Sequence, residues 1–347
     1  MSGIVSYGAY IPQFRIKIAD IARPWKRQDV EIVMGLGVIE KAVAGIDEDT
    51  VTMATEAAIQ ALSSADIKKE QIGATLIGSE SHPYAVKPSS TIVSELLGIH
   101  GNYFAADLEF ACKAGTAGML LIHSLVVAKK ITYGLAIGAD TAQAKPGDIL
   151  ECTAGSAAAA YILGSKHVIA QIIDSTSFST DTPDFWRRDG QKYPSHAARF
   201  TGEPAYFAHV LSASTHLLEK LSMTPKDFDY CVWHMPNGKF PKAVARKLGF
   251  SKQQMQPGFL VERIGNPYSA SSLMGLSATL DIAKPGQKIF LCSYGSGAGS
   301  DAIAFWVTDE IVAFQKKKRI TIQKQLDKKQ YIDYMEVFQR QIIRNSQ

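Results

Sequence analysis

Cysteine is scarce in this chain and never paired in sequence. Its 347 residues hold 4 cysteines, Cys112, Cys152, Cys231 and Cys292, with no CxxC spacing. That argues against a disulfide framework and offers no zinc ligand set, so no metal site is expected. No apolar run reaches the ~18 residues of a membrane span, and the opening residues lack a signal-peptide pattern. There is no Walker-type loop, and no GxGxxG follows a strand. An excess of one charge sign is also missing. The 37 basic and 33 acidic residues leave a net charge of +4, too small to imply nucleic acid. The expected setting is a soluble, reducing, cytoplasmic one. By contrast, apolar residues make up 46% and charged residues only 20%, the balance of a chain with a sizeable core. The length suits two ordinary domains or two halves of one large one.

The richest stretch is Glu109-Phe110-Ala111-Cys112-Lys113-Ala114-Gly115-Thr116-Ala117-Gly118. A cysteine lies among small residues, and an apolar run free of Gly and Pro follows over 119–128. That run reads as a buried helix with Cys112 at or just before its start. Unpaired N–H groups and the positive end of the helix dipole favour an anion there. The expectation is a thiolate, the nucleophilic form of cysteine. The plainer alternative is a buried, inert thiol, and that is the reading for Cys152, Cys231 and Cys292.

Strands and helices alternate along the chain. Strands are expected over 3–11, 72–77, 104–108, 132–138, 154–163, 228–233, 288–293 and 303–307. Helices are expected over 52–62, 91–97, from Cys112 onward, and over 210–221, 240–248 and 269–281. Glu80 and His234 follow strand ends 154 residues apart (234 − 80), and Cys112 and Asn266 are separated by the same interval (266 − 112). One unit therefore occurs twice, once in residues 1–165 and once in 166–347. Alternating helices and strands predict mixed but mostly parallel sheets covered on both faces, with ligands at the carboxyl ends of strands. Packing about a pseudo-twofold axis would bring Glu80, Cys112, His234, Asn266 and Ser296 together. An insertion at about 174–205, polar, aromatic and rich in turns, has no repeat partner and suggests a lid or an interface. The basic tail at 316–319 and 328–329 reads as a solvated face or, more pointedly, a docking surface.

Several separated motifs resemble the hydroxymethylglutaryl-CoA synthase family. They are Gly78-Ser79-Glu80-Ser81, Glu109 to Gly115, His234-Met235-Pro236 and Gly265-Asn266-Pro267-Tyr268-Ser269-Ala270-Ser271-Ser272. The insertion from Pro183-Asp184-Phe185-Trp186 to Arg199-Phe200-Thr201-Gly202 looks like the archaeal branch. The resemblance runs from about Gly3 to Thr308. It implies the thiolase-like α/β fold, an internally duplicated five-layered αβαβα arrangement, and a homodimer.

The resemblance also implies roles. Cys112 would accept acetyl from acetyl-CoA, Glu80 would remove a methyl proton from acetyl-Cys112, and His234 would act as an acid on the ketone oxygen of acetoacetyl-CoA. Asn266, Ser296, Thr153 and Thr201 would contact substrate oxygens, as would Gln28 or Asp29 near an acidic position of the family. Lys239, Lys242 and Arg199 would contact CoA phosphates. Coenzyme A thioesters are substrates, and no further cofactor is implied. Archaeal members are expected to join an acetoacetyl-CoA thiolase through a small OB-fold bridging protein.

Each polar candidate has a plainer alternative: Glu80 a solvated loop carboxylate, His234 a satisfied core histidine, Lys239 a surface lysine. Three rival readings remain. A biosynthetic thiolase would place a second reactive cysteine in the late Gly-rich loop, where this chain has Tyr294-Gly295-Ser296-Gly297. A ketoacyl synthase would use the Cys, His and Asn set without Glu80. A non-catalytic scaffold would not need these residues intact.

Overall fold

A computed structural model describes residues 2–344. Nine strands form the main sheet. In chain order they are β1 (Gly3–Tyr10), β2 (Ile72–Gly78), β3 (Phe104–Leu108), β4 (Tyr133–Thr141), β5 (Ser156–Gly164), β6 (Ala170–Ser179), β7 (Tyr230–Trp233), β8 (Lys288–Cys292) and β9 (Gly299–Val307). Their spatial order is β7-β8-β9-β6-β1-β5-β4-β2-β3. The helices that pack on it and bear on the site are α1 (Thr50–Ser64), α2 (Ser89–Leu97), α3 (Ala114–Val127), α4 (Phe207–Leu221), α5 (Phe240–Leu248) and α6 (Ser271–Leu280).

The layers follow from residue alternation, since successive strand side chains point to opposite faces. In β2 and β4, Leu76 and Ala136 join the central core, which holds Met119 and Ile122 of α3 and Leu273 and Leu276 of α6. Their neighbours Ile77, Leu135 and Ile137 pack outward on α1 and α2. In β8, Ile289 and Leu291 face the centre, while Phe290 and Cys292 pack outward on α4 and α5. The result is five layers, with α3 and α6 between two half-sheets. The halves meet through β1, which pairs with β5 along its length and with β6 only at Gly3↔Gln171 and Ile4↔Ala170.

The pairing is mixed, and the expectation of mostly parallel strands is corrected. In the main sheet, among the described residues, only β2·β3, β2·β4 and β7·β8 are parallel. The other five pairs are antiparallel. Parallel neighbours need a crossover, usually an α-helix, while no α-helix intervenes between β4 and β5 or between β8 and β9.

Three further differences bear on the site. β6 runs through Ser179, so the insertion begins about five residues later than expected, and it carries a small hairpin of Phe185–Trp186 against Ser195–His196. Phe14–Lys17, Glu40–Val43 and Gln330–Tyr331 form a second sheet that the sequence did not announce. The basic tail is not simply solvated. Lys318 is buried against Asp281, and Lys329 Nζ lies 2.7 Å from Glu40 Oε1.

Candidate active site

Strand β2 ends at Gly78, where the chain touches the start of α3. A Cβ on Gly78 would stand 2.3 Å from the Ala114 carbonyl carbon and 2.4 Å from Gly115 N, so only glycine permits the contact. This approach makes neighbours of Glu80, two residues past Gly78, and Cys112, two residues before Ala114. Cys112 lies in the tight turn Ala111–Lys113 that opens α3, and Ala111 holds φ +42°. That left-handed conformation is costly for a residue with a Cβ.

The thiol donates to the carboxylate, with Cys112 Sγ 2.8 Å from Glu80 Oε1. Burial, reinforced by the Asp140 charge, pushes Glu80 up to about 8, against the opposing pull of its Cys112 hydrogen bond and Arg187. Burial and then Glu80 push the Cys112 thiol well above its usual range. This corrects the expectation of a resting thiolate: desolvation and a carboxylate outweigh the helix end. A stability prediction follows. Glu80 fits the fold in its protonated form, so its contribution is present below the ordinary carboxylate range and is lost as pH rises through about 8. The melting-temperature advantage of Glu80→Gln over wild type should therefore grow between pH 5 and pH 9, by on the order of a few degrees. A gap independent of pH in thermal melts would contradict the shift.

Sequence reasoning missed Asp140, at the end of β4. Its buried carboxylate accepts from Ser79 Oγ at 2.8 Å, Ser81 Oγ at 2.6 Å and Glu80 N at 2.8 Å. It also accepts from Ser269 N at 2.8 Å and Ser269 Oγ at 2.6 Å. One carboxylate thus clamps the Glu80 loop of the first half to the start of α6 in the second. The serines around Glu80 and Ser269 were the available sign.

The repeat register also changes. Tyr268 has φ +42°, as Ala111 does, and leads through a turn into α6. The structural offset is 157 (268 − 111), so Ser269 and not Asn266 stands where Cys112 does. Asn266, three residues upstream, accepts from Tyr268 N at 3.0 Å through Oδ1, which leaves its amide N–H groups as donors. It bridges Ala154, which packs with Cys112, Ala144 and Tyr268 in one small cluster.

His234 follows β7 and is buried. Burial lowers it to about 3, so the imidazole is neutral near neutral pH, and its Nδ1 has no partner among the described residues. Its ring lies 6.2 Å from that of Tyr294, whose hydroxyl donates to Asp184 Oδ2 at 2.6 Å. Asp184, in the insertion, also accepts from Gly297 N at 2.8 Å. It therefore ties the insertion to the loop that carries Ser296. The sequence alone places Asp184 in the motif Pro183 to Trp186 and assigns it no role.

A cavity of about 920 Å³ opens on this centre, lined among others by Glu80, Ala111, Phe185, Arg187, Tyr268 and Ser296. Thr153 and Thr201 are spent on carbonyls, Thr153 Oγ1 on Leu150 and Thr201 Oγ1 on Asp184, each at 3.2 Å. Lys239 and Arg199 are exposed. Lys242 is held by Glu262 at 2.9 Å, so a phosphate there would compete with an existing pair. Gln28 is exposed at the start of a helix and does not line the cavity. The side chain of Asp29 lies outside the described residues. Cys152, Cys231 and Cys292 are buried free thiols, as expected.

Residues 218–306 match the family model described as 3-oxoacyl-[acyl-carrier-protein] synthase III C terminal. A hydroxymethylglutaryl-CoA synthase from Archaeoglobus fulgidus is 56% identical over 96% of both chains. One from Methanocaldococcus jannaschii is 54% identical, again over 96% of each. Among solved structures, MvaS in complex with 3-hydroxy-3-methylglutaryl coenzyme A superposes with a TM-score of 0.90, covering 98% of this chain and 91% of its own at 22% identity. That likeness is one of fold. The near-full-length identity to the archaeal proteins shows that this chain belongs to the hydroxymethylglutaryl-CoA synthase family.

Proposed function

We propose that the chain condenses acetyl-CoA with acetoacetyl-CoA and water to give 3-hydroxy-3-methylglutaryl-CoA and CoA, through a thioester on Cys112. The observation that carries this reading is the Cys112–Glu80 contact of 2.8 Å. A ketoacyl synthase obtains its carbanion by decarboxylation and needs no carboxylate there. Proton removal from an acetyl group does need a base, and a buried carboxylate poised near 8 suits that task.

In the proposed sequence Glu80 first takes the thiol proton as Sγ attacks the acetyl-CoA carbonyl. The Cys112–acetyl bond forms, the bond to CoA breaks, and Glu80 returns the proton to the leaving thiolate. Glu80 then removes a methyl proton from acetyl-Cys112, and the resulting carbanion attacks the ketone carbon of acetoacetyl-CoA. His234, neutral at rest, serves the developing oxyanion as a hydrogen-bond donor rather than as an imidazolium acid. Asn266 and Ser296 are further donors to substrate oxygens. The proton that Glu80 took from the methyl group passes to the new alkoxide, which gives the 3-hydroxyl and restores the Glu80 carboxylate. Water then adds to the Cys112 thioester, the bond to sulfur breaks, and the new carboxylate, the free thiol and one proton released to solvent result. Lys239 and Arg199 are the cations offered to CoA phosphates.

The wider reading is a homodimeric mevalonate-pathway enzyme of the cytoplasm, joined to an acetoacetyl-CoA thiolase through an OB-fold protein. The outer edge of β3 is unpaired among the described strands, with Phe104 exposed, and suits a second copy. The free thiols suit a reducing compartment. No described helix is long and apolar enough to cross a membrane. The assembly with a thiolase rests on the family resemblance alone.

The deciding experiment supplies both thioesters to the purified chain and follows product and Cys112 by mass spectrometry. Product together with an acetyl adduct that disappears in Cys112→Ala is the expected result. An acetyl adduct without product would transfer the chain to a sister condensing reaction, and neither would favour a scaffold.

A further inference from the structure

Lys113, the residue after the nucleophile, reaches across the molecule instead of into the cavity. Its Nζ lies 3.0 and 3.1 Å from the two carboxylate oxygens of Asp301 on β9. The side chains are only 7% and 1% exposed, unlike a surface pair of small worth. The Phe110 ring covers the ammonium at 4.3 Å. Asp301 also accepts from Thr116 Oγ1, one turn into α3, at 2.9 Å, and from Ser177 Oγ at 2.8 Å. The backbone fits as closely. A Cβ on Gly299 would stand 2.8 Å from Phe110 Cζ and 3.0 Å from Lys113 Cε, and one on Gly295 would stand 2.9 Å from Lys113 N.

This pair mirrors the clamp made by Asp140. Asp140 of the first half holds the start of α6, and Asp301 of the second half holds the start of α3. Each central helix is gripped by a buried aspartate of the opposite half. A buried ion pair is a poor source of stability, because desolvation offsets much of its attraction. A turn with Ala111 at φ +42° does require an outside hold.

We propose that Lys113 and Asp301 are positioning residues for Cys112, their ion pair holding the cysteine turn so that Sγ stays on the Glu80 carboxylate. The proposal deepens the functional reading above and rests on it. Loosening the pair moves the sulfur relative to its base, and a misplacement of ~1 Å costs on the order of 100-fold in rate.

The test is the double variant Lys113→Met with Asp301→Asn, which removes both charges and leaves no buried ion unpaired. The expected enzyme melts within a few degrees of wild type and keeps its KM for acetyl-CoA within about twofold. Acetyl transfer to Cys112, followed by intact mass in quenched samples, falls by about 100-fold. Alkylation of Cys112 by iodoacetamide rises several-fold, because the thiol has left the carboxylate that suppresses its ionisation. Wild-type acetyl transfer in the folded double variant overturns the proposal. If wild type itself takes up no acetyl, the functional reading has failed, and alkylation alone decides: an unchanged rate overturns the positioning role. Should the double variant not fold, Thr116→Val removes one donor to Asp301 without stranding a charge. It is expected to slow the transfer about 10-fold at unchanged KM, and unchanged transfer again overturns the proposal.

Discussion

Glu80→Gln lowers formation of hydroxymethylglutaryl-CoA by about 10⁴-fold while the protein stays folded. The magnitude follows from two duties on one carboxylate. In the proposed sequence Glu80 accepts the Cys112 proton across the 2.8 Å contact during loading and later removes the methyl proton of the acetyl group. General-base contributions run from about 10² to 10⁴ per step, and a group used twice belongs at the upper end. Glutamine keeps the shape and one acceptor oxygen, so packing is preserved and the loss reports on proton transfer. With wild type, the rate of acetyl loading rises with pH toward a plateau above about 8, where Glu80 ionises. With glutamine that inflection disappears. Product assayed by mass spectrometry at equal rates in both enzymes would remove Glu80 from its role and reopen the reading as another condensing enzyme.

Asp140→Ala has the largest structural effect. Five donors converge on this carboxylate: three serine hydroxyls and the backbone N–H groups of Glu80 and Ser269. Stranding a buried donor costs about 1–3 kcal/mol, reduced where water enters the vacated space. A loss of roughly 3–5 kcal/mol in chemical denaturation is expected, with kcat down by about 100-fold because the Glu80 loop loses its anchor. Asp140→Asn separates the effects. It retains shape but presents an N–H₂ group to donors, and it removes a charge that holds Glu80 up. The inflection in acetyl loading should move below about 8. An Asp140→Ala protein with wild-type stability and rate would show that the clamp has no consequence.

Much of the candidate site was legible in the sequence because it lies in local words. Ser79-Glu80-Ser81, the cysteine turn and His234-Met235-Pro236 each mark a strand end entering a loop or helix. Short apolar runs ending in turn residues located eight of the nine strands of the main sheet, all but β6. What stayed hidden depends on contacts between distant parts of the chain. Asp140 looks like an ordinary strand-end aspartate until Ser269, 129 residues on, donates to it. Lys113 looks like a surface lysine until Asp301 meets it. The direction of the Cys112 shift was misjudged because a helix start can be read locally, whereas the burial and the carboxylate that outweigh it cannot. Sheet direction is not legible because the run of elements does not show which consecutive strands pair directly with each other.

Strand β1 has a consequence in time. Its sheet partners are β5, ending at Gly164, and the first residues of β6. This strand therefore leaves the ribosome long before the strand it pairs with along its length. About 150 residues must follow it, which at roughly 5–20 residues per second is on the order of ten seconds or more. Throughout that interval an apolar segment, Gly-Ile-Val-Ser-Tyr-Gly-Ala-Tyr, waits without its ladder. Chaperones that shield nascent chains would find a client surface there.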